Sequence, residues 1–486
     1  MRKLACALLV IIIVFSALVF IPKSHAAYVN SPITTNTTWT RANSPYTLTA
    51  NIVVNSGVTL TVEPGVTVNF GSYQMQVNGV LNARGNSNNK IVFTSSSYSS
   101  QKIEFSSSST GWSDVAGSGC IIDNAIISSV PISVTGASPK ISNNYVTATS
   151  NLAVSVSGGS PSILNNVIIF RDANAIYLSG GATIISGNTI SGQGQHAGIY
   201  IQGSASASIS NNNILNGWEG IDAAGYCTIT QNNIMNNGND AIHTTNSGSI
   251  IQNNALANNK VGVSGTGGTI GTVQNNTIAN NWDAGIWGPT TPAIIKYNNI
   301  IANYENIHLT ENHTDVNATY NWWGTAITSE ISLTIWDSKN ASNLGTVNFE
   351  NFLTESNPSA PTVPASIPVP TPPPTPAPTS TASPTPTPTP TPKPTATVAP
   401  TQQPTNAPTP YVPQTPTPTP YETPYETPLP ASESPAEISN EGDVDLTSIA
   451  VISLAIMTTI IIVAILNIKF GRSHQQPPMQ PPAQSA

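Results

Sequence analysis

Tyr200, Asp222 and His243 follow one another at intervals of 22 and 21 residues. A phenol, a carboxylate and an imidazole are groups that take and return protons near neutral pH. Each has apolar neighbours, such as Ile199 and Ile201 around Tyr200, or Ile221 and Ala223 around Asp222. On a strand, that alternation buries the flanking residues and turns the middle one outward. The same pattern places Ser133, Ser155, Tyr177, Gly262, Trp287 and His308 in one outward row with them. The turn before each strand supplies a second row: Asp172, His196, Trp218 with Glu219, Asp240, Lys260, Trp282 with Asp283, and Tyr304 with Glu305. Two rows along one edge can line a groove. Its rings would pack on the apolar faces of sugars, while carboxylates and amides meet hydroxyls. Tyr200, Asp222 and His243 are the catalytic candidates for such a groove. Tyr177, Trp218, Glu219, Lys260, Trp282, Asp283, Trp287, Tyr304, Glu305 and His308 are the ligand-binding candidates. Gly262 is expected to leave open space beside His243. The competing reading is a solvent-facing strand whose residues are there for their β propensity.

The elements that hold these rows repeat. The pattern apolar-x-x-Asn-x-apolar selects Asn124, Asn144, Asn166, Asn188, Asn212, Asn232, Asn254, Asn276 and Asn298, at steps of 20 to 24 residues. That period is too short for a pair of packed helices and suits three short strands per repeat. Three strands make one coil of a parallel β-helix, and coils stack at about 4.8 Å. Asparagine tolerates the left-handed backbone of a tight corner. Its side-chain amide can also bond the amide of the next coil, giving a ladder along the axis. Ile190, Ile214, Ile234, Leu256, Ile278 and Ile300 each follow a ladder position by two and are expected to form one interior stack.

The stretch "GVTLTVEPGVTVNFGSYQMQVNGVLNARG", the Asn-Asn coils and the closing "NATYNWWGT" (Asn317 to Thr325) resemble right-handed parallel β-helix surface proteins of archaea. These include the carbohydrate-binding and sugar-hydrolysis domain and the NosD-like periplasmic proteins. The resemblance spans residues 28 to 355. It implies the fold, and a substrate cleft along one strand and its preceding loops, as in pectate-lyase-like β-helices. Such folds host lyases, epimerases, hydrolases and adhesins, so no single activity follows from them. Tyr, Asp, His and Lys together resemble uronate-epimerase or lyase chemistry. Against an enzyme, the Asn-Thr-Asp, Asp-Asp and Arg-Ile-Lys motifs of polygalacturonases are missing, and Arg171 is the sole arginine of the repeats. The copper role of NosD-like proteins finds no His/Cys cluster of suitable spacing, and no metal site is expected. No cofactor is expected; calcium on surface carboxylates is compatible but has no located site. Cys120 and Cys227, five coils apart, are too distant to form a disulfide and read as buried thiols.

Both ends read as membrane signals. Arg2 and Lys3 precede an apolar run to Ile21, and Ser-His-Ala-Ala allows cleavage after Ala26. Residues 1–26 therefore read as a secretory signal peptide, with an uncleaved anchor helix as the alternative. Leu446 to Ile468 is an uncharged run of 23 residues, long enough for a transmembrane helix. Lys469 and Arg472 follow it, which puts the tail 469–486 in the cytoplasm and residues 27–445 outside. Between these signals there are ten basic residues against 23 acidic ones, a formal charge of −13, which excludes a basic nucleic-acid footprint. Of 41 prolines, 28 lie between Pro358 and Pro435. Residues 357–445 thus read as a disordered Pro/Thr stalk, extended as polyproline II. Sequons at Asn36, Asn275, Asn312, Asn317 and Asn340 are compatible with surface glycosylation.

The expectation is an all-β chain: a right-handed parallel β-helix of 12–14 coils over residues 27–356, then the stalk and one C-terminal transmembrane helix. As a membrane-anchored cell-surface protein it is expected to bind a polysaccharide or cell-surface glycan. The alternatives are a polysaccharide lyase or uronate epimerase, and a purely structural surface protein.

Overall fold

The computed structural model describes residues 26–97, 100–265, 270–289, 293–310, 314–371 and 373. The expected signal peptide up to residue 25, the expected transmembrane helix and cytoplasmic tail, most of the expected stalk and the sequon Asn312 lie outside the described residues. Among the described residues no helix is long and apolar enough to cross a membrane.

Strands of two to five residues alternate among three parallel sheets of 13, 13 and 12 strands. One coil shows the plan. Asn213–Leu215 lies in the first sheet, Ile221–Ala223 in the second and Tyr226–Thr230 in the third. Asn233–Met235 then pairs in parallel with Asn213–Leu215, starting the next coil. The result is a right-handed solenoid of about twelve turns, and among the described residues it carries one short α-helix, Thr328–Leu333.

The interior is a set of apolar columns. Ile190, Ile214, Ile234, Leu256, Ile278 and Ile300 are register partners in succession, and all are buried. Full burial of such a side chain contributes about 1.5–3 kcal/mol. Phe70, Phe93, Phe105 and Phe170 are the largest fully buried side chains, all in the N-terminal half of the solenoid. Cys120 and Cys227 are buried free thiols, and burial pushes the Cys227 thiol up to about 12.

The asparagine ladder is present, with two corrections. First, the corner and the ladder are separate jobs held by adjacent residues. Asn143, Asn165, Asn211, Gln231, Asn253 and Asn275 take the left-handed backbone, with φ of 54–57°. The residue after each carries the ladder. Asn232 Nδ2 donates to Asn254 Oδ1 at 3.0 Å and to the Ile209 carbonyl at 3.0 Å, and the Asn232 backbone N–H also donates to Asn254 Oδ1. Each carboxamide is thus saturated inside the wall, which offsets the cost of burying it.

Second, Asn124 is a corner residue rather than a ladder residue. Its φ is 53°, and its Nδ2 donates to Asp123 Oδ2 at 2.9 Å. The Ile121–Ile122 doublet allows the pattern to be read in two frames. The structure aligns Ile122 with Ile141, so Asn124 falls beside Asn143. A one-residue slip is enough to exchange wall and solvent positions. The ladder begins at Asn144 and ends at Asn321, to which Asn298 Nδ2 donates at 3.0 Å. A second ladder, Asn237–Asn259–Asn281–Asn303, lines the next corner. It fixes the turns that precede the outward row.

Packing continues past residue 356. Asn357 Nδ2 donates to Asn275 Oδ1 at 3.1 Å, and Thr277 Oγ1 donates to the Pro361 carbonyl at 2.6 Å.

Candidate functional site

The outward row lies on the second sheet, where strands Ile199–Ile201, Ile221–Ala223, Asp240–Thr244, Val261–Ser264, Ala284–Trp287 and Glu305–His308 stack in register. Ser133, Ser155, Tyr177, Tyr200, Asp222 and His243 are consecutive partners. The row then continues through Ser264, Trp287, His308 and Trp336. Gly262 is not in it, and no open space lies at that position. A Cβ there would meet Ile278 Cγ2 at 2.4 Å and the Gly285 carbonyl oxygen at 2.5 Å. Gly262 belongs to a column of small residues, with Gly220, Ala241 and Gly285, that lies against the isoleucine stack. The alternation Val261-Gly262-Val263 imitates an in-out-in strand, but the outward residue follows Val263.

His243 Nδ1 lies 2.9 Å from Asp222 Oδ1, so each carboxylate–imidazole partner orients the other across adjacent coils. The Asp222 hydrogen bond raises the His243 pKa above its ordinary value, against the opposing effect of burial. Beside this pair is a groove of about 490 Å³, lined by Glu219, Asn239, Asp240, His243, Lys260, Ser264, Asp283, Trp287 and Thr310 among others. Asp240 is only 7% exposed and is hydrogen-bonded to the Ser264 hydroxyl. Burial pushes the carboxyl groups of Asp240 and Glu219 up, and the charge of Asp222 adds to the effect at Glu219. Glu219 Oε1 accepts from Asn239 Nδ2 at 3.2 Å, and Lys260 Nζ lies 3.9 Å from Asp283 Oδ2.

The groove therefore unites Glu219, His243, Lys260, Asp283 and Trp287, with Asp222 bonded to its wall. Tyr200 sits one coil before Asp222, and Tyr177 stacks on Tyr200 with ring centres 5.6 Å apart. Tyr304, Glu305 and His308 lie beyond the groove's other end. His308 is hydrogen-bonded to Glu305 and stacked between Trp287, at 3.9 Å, and Trp336, at 5.7 Å, with ring planes within 4°. One face of Trp287 is thus already covered. Open rings are found on the turn row instead, where Trp218 is 45%, Trp282 61% and Tyr304 76% exposed.

Ser264, Asn239, Thr310 and Trp336 were not among the sequence candidates. Trp336 had a visible signal, since Ile335-Trp336 repeats the Ile286-Trp287 and Ile307-His308 pairs. Of the sequons, Asn36, Asn317 and Asn340 are exposed, whereas Asn275 is half-buried beneath Asn357. Among the described residues no three His, Cys, Asp or Glu side chains converge as a metal site.

Residues 89–228 and 197–323 match the family described as "Right handed beta helix region". A solved structure, "Crystal Structure of the periplasmic alginate epimerase AlgG", is similar over 63% of this chain and 76% of that one, at 13% identity and a TM-score of 0.31. No curated protein matches the chain.

Proposed function

We propose that the protein binds a polysaccharide lengthwise along the second sheet, in the groove between His243 and the turns that bear Glu219, Lys260 and Asp283. One observation carries this reading: exposed Trp218 and Trp282 bracket that polar groove. Successive backbone bonds Asn239 to Trp218, Lys260 to Asn239 and Asp283 to Lys260 set the two turns three coils apart. That separation is about 14 Å, a span for several sugar rings rather than one. Large rings left open beside convergent polar groups are suited to an apolar-faced, hydroxyl-edged ligand. The reading extends to display on a cell surface: export through residues 1–26, a Pro/Thr stalk, anchoring by residues 446–468 and glycosylation of exposed sequons. The sequence is its support.

A second reading, a polysaccharide lyase or uronate epimerase, is favoured by the Asp222–His243 bond. An imidazole oriented by a carboxylate is equipped to abstract a proton, and the Tyr200 phenol, two coils from His243 in the same row, would return one.

The test is a glycan array and a uronate-polymer turnover assay with the full-length protein. Retention of a glycan that is lost on Trp218→Ala and Trp282→Ala supports binding in the groove. No retention on any glycan ends the reading. Turnover that His243→Ala abolishes without loss of retention selects the second.

A further inference from the structure

We infer that the glycan taken by this groove carries free amino groups, a hexosamine polymer rather than a polyuronate. The inference rests on the glycan-binding reading above and names the ligand class of the same site. It starts from how the charges are paired. His243 has Asp222 at 2.9 Å, and Lys260 has Asp283 at 3.9 Å. Both cations of the groove are thereby engaged by carboxylates. Glu219 and Asp240 remain, and their hydrogen-bond partners are neutral: the Asn239 amide and the Ser264 hydroxyl.

A buried carboxyl group without a counter-charge is costly to ionise. Burial holds both above the ordinary carboxylate range, with the charge of Asp222 adding to it, and the nearby charges of His243 at both groups and of Lys260 at Asp240 offset only part of that rise. The charge missing from the groove is positive. A uronate entering it would face Glu219, Asp222, Asp240 and Asp283, with no cation that lacks a carboxylate partner. A metal ion would want converging ligands, and no three such groups converge among the described residues. An ammonium group makes a smaller demand. It donates three hydrogen bonds, and a carboxylate, the Ser264 hydroxyl and the Asn239 carbonyl are acceptors of the right kind.

Charge complementarity makes the binding pH-linked. A bound ammonium favours the ionised forms of Glu219 and Asp240, so binding releases protons and strengthens as the pH rises through their titration. The charged groups facing them are Asp222, His243, Lys260 and Asp283. The experiment is isothermal titration calorimetry of the full-length protein with three hexamers: glucosamine, N-acetylglucosamine and galacturonic acid. It is run at pH 4.5 and 6.5 at fixed ionic strength. The glucosamine hexamer should bind most tightly at pH 6.5 and lose roughly tenfold or more at pH 4.5. Glu219→Gln with Asp240→Asn should flatten that dependence and bring its affinity down to that of the acetylated hexamer. Should the double variant fail to fold, Lys260→Ala is used, and it should tighten glucosamine binding. The acetylated hexamer binding as tightly as glucosamine at pH 6.5, or galacturonate binding more tightly, overturns the amine inference and leaves the groove a glycan site. If neither these hexamers nor any arrayed glycan binds, the glycan reading fails and the inference with it.

Discussion

Asp222 and His243 are direct partners on adjacent strands of the second sheet, and their side chains meet at 2.9 Å between Oδ1 and Nδ1. A strand pair places such residues about 4.8 Å apart whatever their identity. Chemistry at that spacing therefore depends on which two residues fall in register.

The first prediction concerns protonation. His243 is raised by Asp222, so its folded pKa exceeds its unfolded one. The stabilisation from the charged pair is fully present below the unfolded value of about 6.5 and is lost as the pH rises through the folded value. An NMR titration of the His243 ring should show a midpoint above 6.5 that falls in Asp222→Asn. An unchanged midpoint would mean that the bond does not form in solution. Asp240 also has a raised pKa, but it is a carboxyl group stabilised in its neutral form, so its contribution is likewise lost as the pH rises. Asp240→Asn should raise the melting temperature more at pH 7 than at pH 4.

The second prediction separates the two kinds of asparagine. Asn253 holds a φ of 57°, which glycine adopts freely, so Asn253→Gly should be nearly neutral. Asn254→Gly should cost about 1–3 kcal/mol, because the buried Asn232 N–H and Nδ2 then lose their acceptor and Asn276 Oδ1 loses a donor. Asn232→Leu should cost as much, and Asn239→Leu, outside both ladders, far less. Urea denaturation of the variants checks the order, and equal midpoints for Asn253→Gly and Asn254→Gly would refute the division.

These positions show what the sequence could and could not reveal. A ladder needs one amide per coil, so its period was readable, as was the isoleucine column two residues on. Asn124 was misplaced because two adjacent isoleucines fit the wall position equally well, and only pairing with Ile141 decides between them. Of the groove, Glu219, His243, Lys260 and Asp283 were found from alternation and turn position. The covered face of Trp287 was not, since stacking against His308 depends on side-chain rotamers that spacing does not encode. Nor was the role of Asn239, which reaches Glu219 one coil back.

The third prediction tests the register past His243. Gly262→Ala would push a methyl group against Ile278 Cγ2 and the Gly285 carbonyl, so it should cost about 1–3 kcal/mol through overpacking. At Gly203 the nearest atom to an added Cβ is the Ala224 carbonyl oxygen at 3.8 Å, so Gly203→Ala should be tolerated. Equal thermal stability of the two variants would put Gly262 back on the surface.

The last prediction weighs two tryptophans against each other. Trp287 lines the groove but is stacked on His308, and that arrangement already uses a ring face. Trp282 has both its exposure and its position on the turn, with Lys260 Nζ 5.8 Å from its ring centre. A sugar needs an open face, so the two substitutions should behave differently. Trp282→Ala should weaken binding of a retained glycan by about 0.5–1.5 kcal/mol, the range for a ring contact beyond area burial, and leave the melting temperature nearly unchanged. Trp287→Ala should do the reverse, lowering the melting temperature by removing the His308 stack while changing affinity less. Calorimetric affinity and thermal melts on the same two variants decide the matter. If Trp287→Ala weakens the affinity more than Trp282→Ala at equal stability, the ligand lies on the strand row and not along the turn.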